Sequence, residues 1–276
     1  MKRITLITIC ICILLSACAL GGCRKEKPAP TPSVTSAPVS SAEAAVPPPV
    51  FEKDLLPLAA EAYKSNDHCV GYLYLKNAAV DRPVYKYTYR SGDPSTYKDN
   101  QNNYYLERNA KGKMSQPGEL FADFRCTFDP LPKNLVIYGH EQKDGSMFGK
   151  LKKYESLEFF NENPYIDFAT LEKVEKWKIF SVFYTDIDFY YIEPNPDEVE
   201  FKKIVDGAIN RSEYIINVDV LQTDTIITLS TCTTRFSPSD NCRFVIMGRK
   251  LRENESMDVS PATKNPSPLR PKYKMK

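Results

Sequence analysis

The run Thr225-Ile226-Ile227-Thr228-Leu229-Ser230-Thr231 holds only β-branched, apolar and small hydroxyl residues and carries no charge. Branching at Cβ restricts χ1 and suits a pleated strand better than a helix. Alternation puts Ile226, Thr228, Ser230 and Cys232 on one face, and Ile227, Leu229 and Thr231 on the other. Asn134-Leu135-Val136-Ile137-Tyr138 reads as a second, buried strand that ends at Gly139-His140. Two such runs demand a sheet with a substantial core behind it.

The surrounding pattern agrees. Strands are predicted at 70–75, 84–89, 103–106, 120–124, 165–168, 176–184 and 243–251. Apolar residues recur at helical spacing over 51–64 and again over 197–214, where Pro194 and Pro196 precede the start. Residues 147–154 and 156–161 suggest short helical turns. With 17 Tyr and 14 Phe, the expectation is a mostly β domain, largely antiparallel, with helical insertions, closed into a barrel.

The ends differ from this middle. Met1-Lys2-Arg3 and the apolar stretch Ile4–Leu15 form a secretory signal or an uncleaved anchor within residues 1–23. Leu15-Ser16-Ala17-Cys18 fits a lipobox, which makes Cys18 a lipidation candidate; Leu20-Gly21-Gly22-Cys23 is a second one. The alternative is that these cysteines are small apolar residues of an anchor helix. Either way the remainder lies outside the membrane, tethered by its N-terminus. Residues 24–49, rich in Pro, Ala, Ser and Thr, read as an extended linker. Residues 50–254 form the folded domain, and 255–276, with four Pro after Ser256 and several basic residues, are expected to be a disordered tail.

A formal charge of +2 shows no clustered basic face, so no nucleic-acid partner is expected. Four of the eight Cys lie before residue 24. Cys69, Cys126, Cys232 and Cys242 remain, at spacings that match neither a disulfide framework nor a metal motif. With two His in the chain, neither a metal site nor another cofactor is expected.

Chemistry gathers at strand ends. Cys232 closes one strand, and the next begins at Arg243 after a loop. A hairpin would set Cys232 and Arg243 side by side at one rim. His140 closes another strand. A thiolate nucleophile, an imidazole acid-base and a guanidinium that stabilises an oxyanion make a complete acyl-transfer set. Each also has an ordinary structural reading: a buried small residue for Cys232, a loop residue for His140, a structural cation for Arg243. Arg235 and Arg249 are alternatives for the last role.

Thr228-Leu229-Ser230-Thr231-Cys232 resembles the signature of sortases, and Arg243-Phe244-Val245 resembles the Arg-led strand that follows it. Asn134 to His140, followed by Asp144-Gly145-Ser146-Met147-Phe148-Gly149, resembles the histidine segment of class B. Tyr104-Tyr105-Leu106 and the long helix before the Cys strand fit the same class. The likeness covers roughly residues 50–252.

That resemblance implies a closed eight-stranded sortase-type β-barrel with an N-terminal helical extension and a helix inserted before the Cys strand. It implies a cysteine transpeptidase that cleaves an NPxTx-like sorting motif in secreted surface proteins. The acyl group would pass through a thioester on Cys232 to an amine of peptidoglycan or its lipid-linked precursor. His140 would be the general acid and base and Arg243 the oxyanion partner. Ser230, Thr231, Tyr191 and Ile192 would border the peptide groove. No metal or cofactor is implied. A pilin-polymerising sortase and a non-catalytic lipoprotein that binds wall peptides are the alternatives. Two features depart from the family: Cys242 directly before the Arg, either a buried thiol or a disulfide partner of Cys232, and a lipobox where class B enzymes commonly keep an anchor helix.

Overall fold

The computed structural model describes residues 46–271, apart from 79, 94 and 237–240. Cys18 and the remainder of the N-terminal segment lie outside the described residues. Helix α1 (Leu56–Ser65) starts where Pro57 supplies a pre-set φ, later than the predicted residue 51. Strands β1 (Cys69–Leu75) and β2 (Val80–Tyr85) form a hairpin around Asn77, whose φ is +57°.

Helix α2 (Asn103–Glu107) replaces the strand predicted there. Its consecutive tyrosines explain the difference. Tyr104 stacks on Tyr87 at 4.1 Å, and Tyr105 on Tyr85 at 5.1 Å. A strand would send these neighbours to opposite faces, whereas one helical turn lets both join the same aromatic cluster. Strand β3 (Leu120–Ala122) stops two residues early because Asp123 turns the chain: its carboxylate accepts from the Arg125 amide, and its carbonyl from the Cys126 amide.

Then follow β4 (Asn134–Tyr138), α3 (Leu157–Glu162), β5 (Tyr165–Ala169), β6 (Val174–Asp186), α4 (Glu198–Arg211), β7 (Tyr214–Ile215), β8 (Ile226–Cys232), β9 (Cys242–Lys250) and β10 (Thr263–Lys264). A capping box of Asp197 and Glu200 opens α4. Eight strands close a barrel in the order β1-β2-β3-β4-β8-β9-β6-β5. Two neighbouring pairs, β2 with β3 and β4 with β8, run parallel, so the barrel is mixed but largely antiparallel, as the sequence suggests.

The barrel interior is apolar. Leu73, Leu135, Ile137, Phe168, Trp177, Ile179, Leu229 and Ile246 are fully buried in one cluster. Each such side chain contributes roughly 1.5–3 kcal/mol by leaving water, and truncating Ile137 to Ala would cost about 2–5 kcal/mol. On the outer face of β6, β8 and β9, Phe183, Ile226, Val245 and Met247 pack against Phe201, Ile204 and Ala208 of α4.

The C-terminal segment is not the disordered tail that its composition suggests. β10 pairs with β7, the Leu269 amide donates to the Asn210 carbonyl, and Arg270 bonds Glu213. The buried Arg249 guanidinium donates to Glu255 (2.7 Å from Nη2), one residue beyond the predicted domain end. Lys178, also buried, donates to Glu255 and to the carbonyls of Ser256 and Asp258. Glu255 is thus part of the folded domain, because two buried cations depend on it.

Candidate active site

Strands β4 and β8 run side by side in the same direction, with Tyr138 opposite Ser230 as the last ladder pair. Two residues past this pair stand His140, just beyond the end of β4, and Cys232, the last residue of β8. On the other side of β8, Cys232 is the antiparallel partner of Arg243 on β9. Both ladders therefore bring His140 and Arg243 to flank Cys232 at one rim. The predicted hairpin accounts for Arg243; the parallel pairing that accounts for His140 has no local sequence signal.

Gly139 makes the approach to His140 possible. A Cβ there would lie 2.4 Å from the Leu120 side chain and 3.0 Å from Phe148. The Phe148 amide donates to the His140 carbonyl at 2.9 Å and closes the following loop. The His140 Nε2 lies 3.0 Å from the Leu106 carbonyl of α2. A carbonyl only accepts, so Nε2 carries the proton, leaving Nδ1 as the other nitrogen of the ring.

A cleft of about 250 Å³ opens here. Its floor is Tyr138, Ser230 and Cys232, with Arg243 at the rim; Asn102, just before α2, and Leu106 of α2 form one wall, and the segment Ile187–Ile192 the other. Tyr191 is buried, and its hydroxyl pairs with that of Ser230 at 2.7 Å. Burial pushes the Tyr191 phenol up to about 12, so it stays neutral. Thr231 also lines the cleft, but its hydroxyl is buried on the face shared with Leu229 and has no hydrogen-bond partner among the described residues. Ile192 is half-buried. All seven residues singled out from the sequence for chemistry or peptide contact thus border one cleft.

The loop between β6 and α4 is secured from below. Asn134, fully buried, donates its side-chain amide to the Tyr191 and Glu193 carbonyls, both at 3.0 Å, and its backbone amide to Pro194. Its own side-chain oxygen accepts from Thr228 at 2.7 Å. Asn102, Leu106, Tyr138 and Asn134 escaped the site prediction. The one available signal was a polar Asn opening an otherwise apolar strand.

Cys242 is a buried thiol. The pleat turns it to the face opposite that of Arg243, hence away from Cys232. Neither proposed alternative, Arg235 or Arg249, takes the place of Arg243: Arg235 bonds Glu155 and Tyr184, and Arg249 bonds Glu255.

The Sortase domain family matches residues 82–251. The chain belongs to the sortase family. It is 35% identical to sortase B of Listeria monocytogenes over 187 residues, which span 67% of this chain and 71% of the relative. The solved structure of Listeria sortase B, also 35% identical, superposes with a TM-score of 0.56 over 69% of this chain and 98% of that one. A Staphylococcus aureus sortase B-substrate complex, 24% identical, shares the fold with a TM-score of 0.62 over 73% of this chain and 88% of that one. This sortase is a cysteine transpeptidase of the sortase B family, acting on sorting-motif substrates at the cell envelope.

Proposed function

We propose that the cleft binds an NPxTx-like sorting motif near the C-terminus of a secreted surface protein, and that Cys232, His140 and Arg243 transfer it to an amine of peptidoglycan or its lipid-linked precursor. The observation that carries this reading is the double flanking of Cys232, by His140 across a parallel pair and by Arg243 across an antiparallel one.

The Cys232 thiolate attacks the scissile carbonyl, and the developing oxyanion takes hydrogen bonds from the Arg243 guanidinium. The C–N bond breaks as His140 gives its Nδ1 proton to the leaving amine, and a thioester remains on Cys232. The acceptor amine then attacks the thioester and loses a proton to His140. The new amide leaves, and the thiolate is restored. The Leu106 carbonyl holds Nε2 throughout, which keeps the exchanging nitrogen the same in both halves. Ser230, Thr231, Tyr191 and Ile192 contact the motif. The N-terminal segment tethers the enzyme to the outer face of the membrane, either as an uncleaved anchor within residues 1–23 or through a lipid on Cys18, and residues 24–49 act as the spacer.

Quenched peptides carrying candidate motifs, with wall-type amines or a pilin-type lysine peptide as acceptors, test this directly. Wild type cleaves one motif class, and a thioacyl adduct on Cys232 appears in the mass spectrum. Replacing Cys232 by Ala abolishes both signals; His140→Ala lowers turnover by about 10²–10⁴-fold. Cleavage that persists without Cys232 would overturn the mechanism. Transfer to the lysine peptide but not to wall amines would make the enzyme a pilin polymerase.

A further inference from the structure

The loop that walls the cleft has no helix or strand of its own, yet four consecutive carbonyls in it are held. Asn134 holds those of Tyr191, Glu193 and Pro194. The carbonyl between them, that of Ile192, accepts from Arg125 Nη2 at 2.7 Å. The same guanidinium donates to the Tyr190 hydroxyl at 2.9 Å and to the Glu193 carboxylate at 3.0 Å. Its remaining bonds go to Asp123, at 2.8 Å from Nε and 3.1 Å from Nη2.

Asp123 is a fixed point. It is 1% exposed at the end of β3, and its carboxylate also accepts from the Tyr138 hydroxyl at 2.9 Å and from Asn102 at 3.1 Å. Burial alone would push this carboxyl up. The hydrogen bonds from Arg125 and Tyr138 outweigh it and hold the group below the usual carboxylate range, ionised at neutral pH. One carboxylate-guanidinium pair therefore ties together the cleft floor (Tyr138), one wall (Asn102) and the opposite wall (Tyr190 and Ile192).

We propose that Asp123 and Arg125 are positioning residues that set the width of the cleft, and so the affinity for the donor peptide, without touching the reacting atoms. The inference rests on the reading of the cleft as the donor-peptide groove. A planar fork suits the role, since it bonds the carboxylate and the Ile192 carbonyl at once. A Lys at the same place keeps the charge but cannot make both contacts.

The test compares Arg125→Lys, Arg125→Ala and Glu193→Gln with wild type in the full folded enzyme. Three quantities are read: KM and kcat with a donor peptide, and the rate of Cys232 alkylation by iodoacetamide, a reagent too small to need the walls. Arg125→Lys should raise KM about tenfold with kcat and alkylation within about twofold, as expected for losing one or two charge-assisted hydrogen bonds. Glu193→Gln, a change on the surface loop, should raise KM about threefold. Unchanged KM in Arg125→Lys would overturn the proposal, as would a parallel fall in kcat and alkylation. Should Arg125→Lys not fold, an unchanged KM in Glu193→Gln does the same. If wild type turns over no donor peptide, the functional reading fails, and limited proteolysis still decides the positioning role. Cleavage between Tyr190 and Pro194 at least about tenfold faster in Arg125→Lys supports it, and equal rates refute it.

Discussion

Cys232 and Arg243 are direct partners across the β8–β9 ladder, so their side chains leave the sheet on the same face. A guanidinium placed by strand pairing needs no flexible loop to stand beside Cys232.

Replacing Arg243 by Ala should therefore lower kcat by about 10²–10³, the usual loss for an oxyanion donor, with little change in KM. Arg243→Lys should recover only part of it, because a point charge cannot reproduce the fork. Steady-state kinetics with a quenched donor peptide reads both. A KM effect without a kcat effect would reassign Arg243 to ground-state binding.

Gly118 offers an indirect handle on His140. Its φ is +60°, and a Cβ there would lie 2.7 Å from the Leu106 carbonyl oxygen and 2.4 Å from that of Tyr105. Gly118→Ala should displace the carbonyl that holds Nε2 and cut kcat at least about tenfold through lost orientation. The His140 ring signals in an NMR spectrum should shift in step. Normal kcat with unshifted signals would mean that the carbonyl does not orient the ring.

The thiols should differ sharply in reactivity. Burial pushes Cys69 up to about 11 and Cys126 up to about 12, and it raises Cys242 as well. Among the four Cys of the described residues, brief exposure of the native enzyme to iodoacetamide at neutral pH should label Cys232 alone. Peptide mapping by mass spectrometry locates the label. Prompt labelling of Cys242 would show that its strand opens readily.

Acid stability should report on Glu255. Burial alone would raise its pKa; hydrogen bonds from Arg249 and Lys178 outweigh this and hold it at about 2. A carboxyl held below its ordinary value of 4.5 stabilises the fold fully above 4.5. That contribution is lost as pH falls from 4.5 through about 2. Glu255→Gln should flatten the stability profile in this window, followed by urea denaturation at stepped pH. Ending the chain at Asn254 removes the carboxylate shared by Arg249 and Lys178, leaving Arg249 the Asp219 and Lys250 carbonyls and the longer ion pairs to Asp219 and Asp224, and should cost about 3–5 kcal/mol, or roughly 10 °C in Tm. An unchanged Tm would mean that the Asp219, Asp224 and Lys250 partners of Arg249 suffice without Glu255.

The strands bearing Cys232 and His140 were legible because alternation and branching are local signals, and because each run ends in a residue with distinctive chemistry. Their adjacency was not legible, since β4 and β8 are far apart in sequence and pair in parallel. Tyr104 and Tyr105 misled by propensity: both favour strands, and only the tyrosines of β2 and beyond select the helical turn. The C-terminal segment misled by composition. Its Pro and Lys content looks solvated, but docking depends on Glu255 meeting buried cations from β6 and β9, which no local pattern reveals. The Asp123–Arg125 pair looks like ordinary surface charge until the loop that it holds is seen.

The shared direction of β4 and β8 bears on how such a chain tolerates change during descent. His140 and Cys232 stand equally far past the Tyr138–Ser230 pair, so both count from the same barrel rung. Residues gained or lost in the long connection between these strands leave that count untouched. A single residue inserted between Asn134 and His140, or between Ile226 and Cys232, would turn one reactive side chain to the opposite face. Lineages of this enzyme can therefore vary the length of the β4–β8 connection away from the segments that wall the cleft, while the two strand segments must keep their lengths.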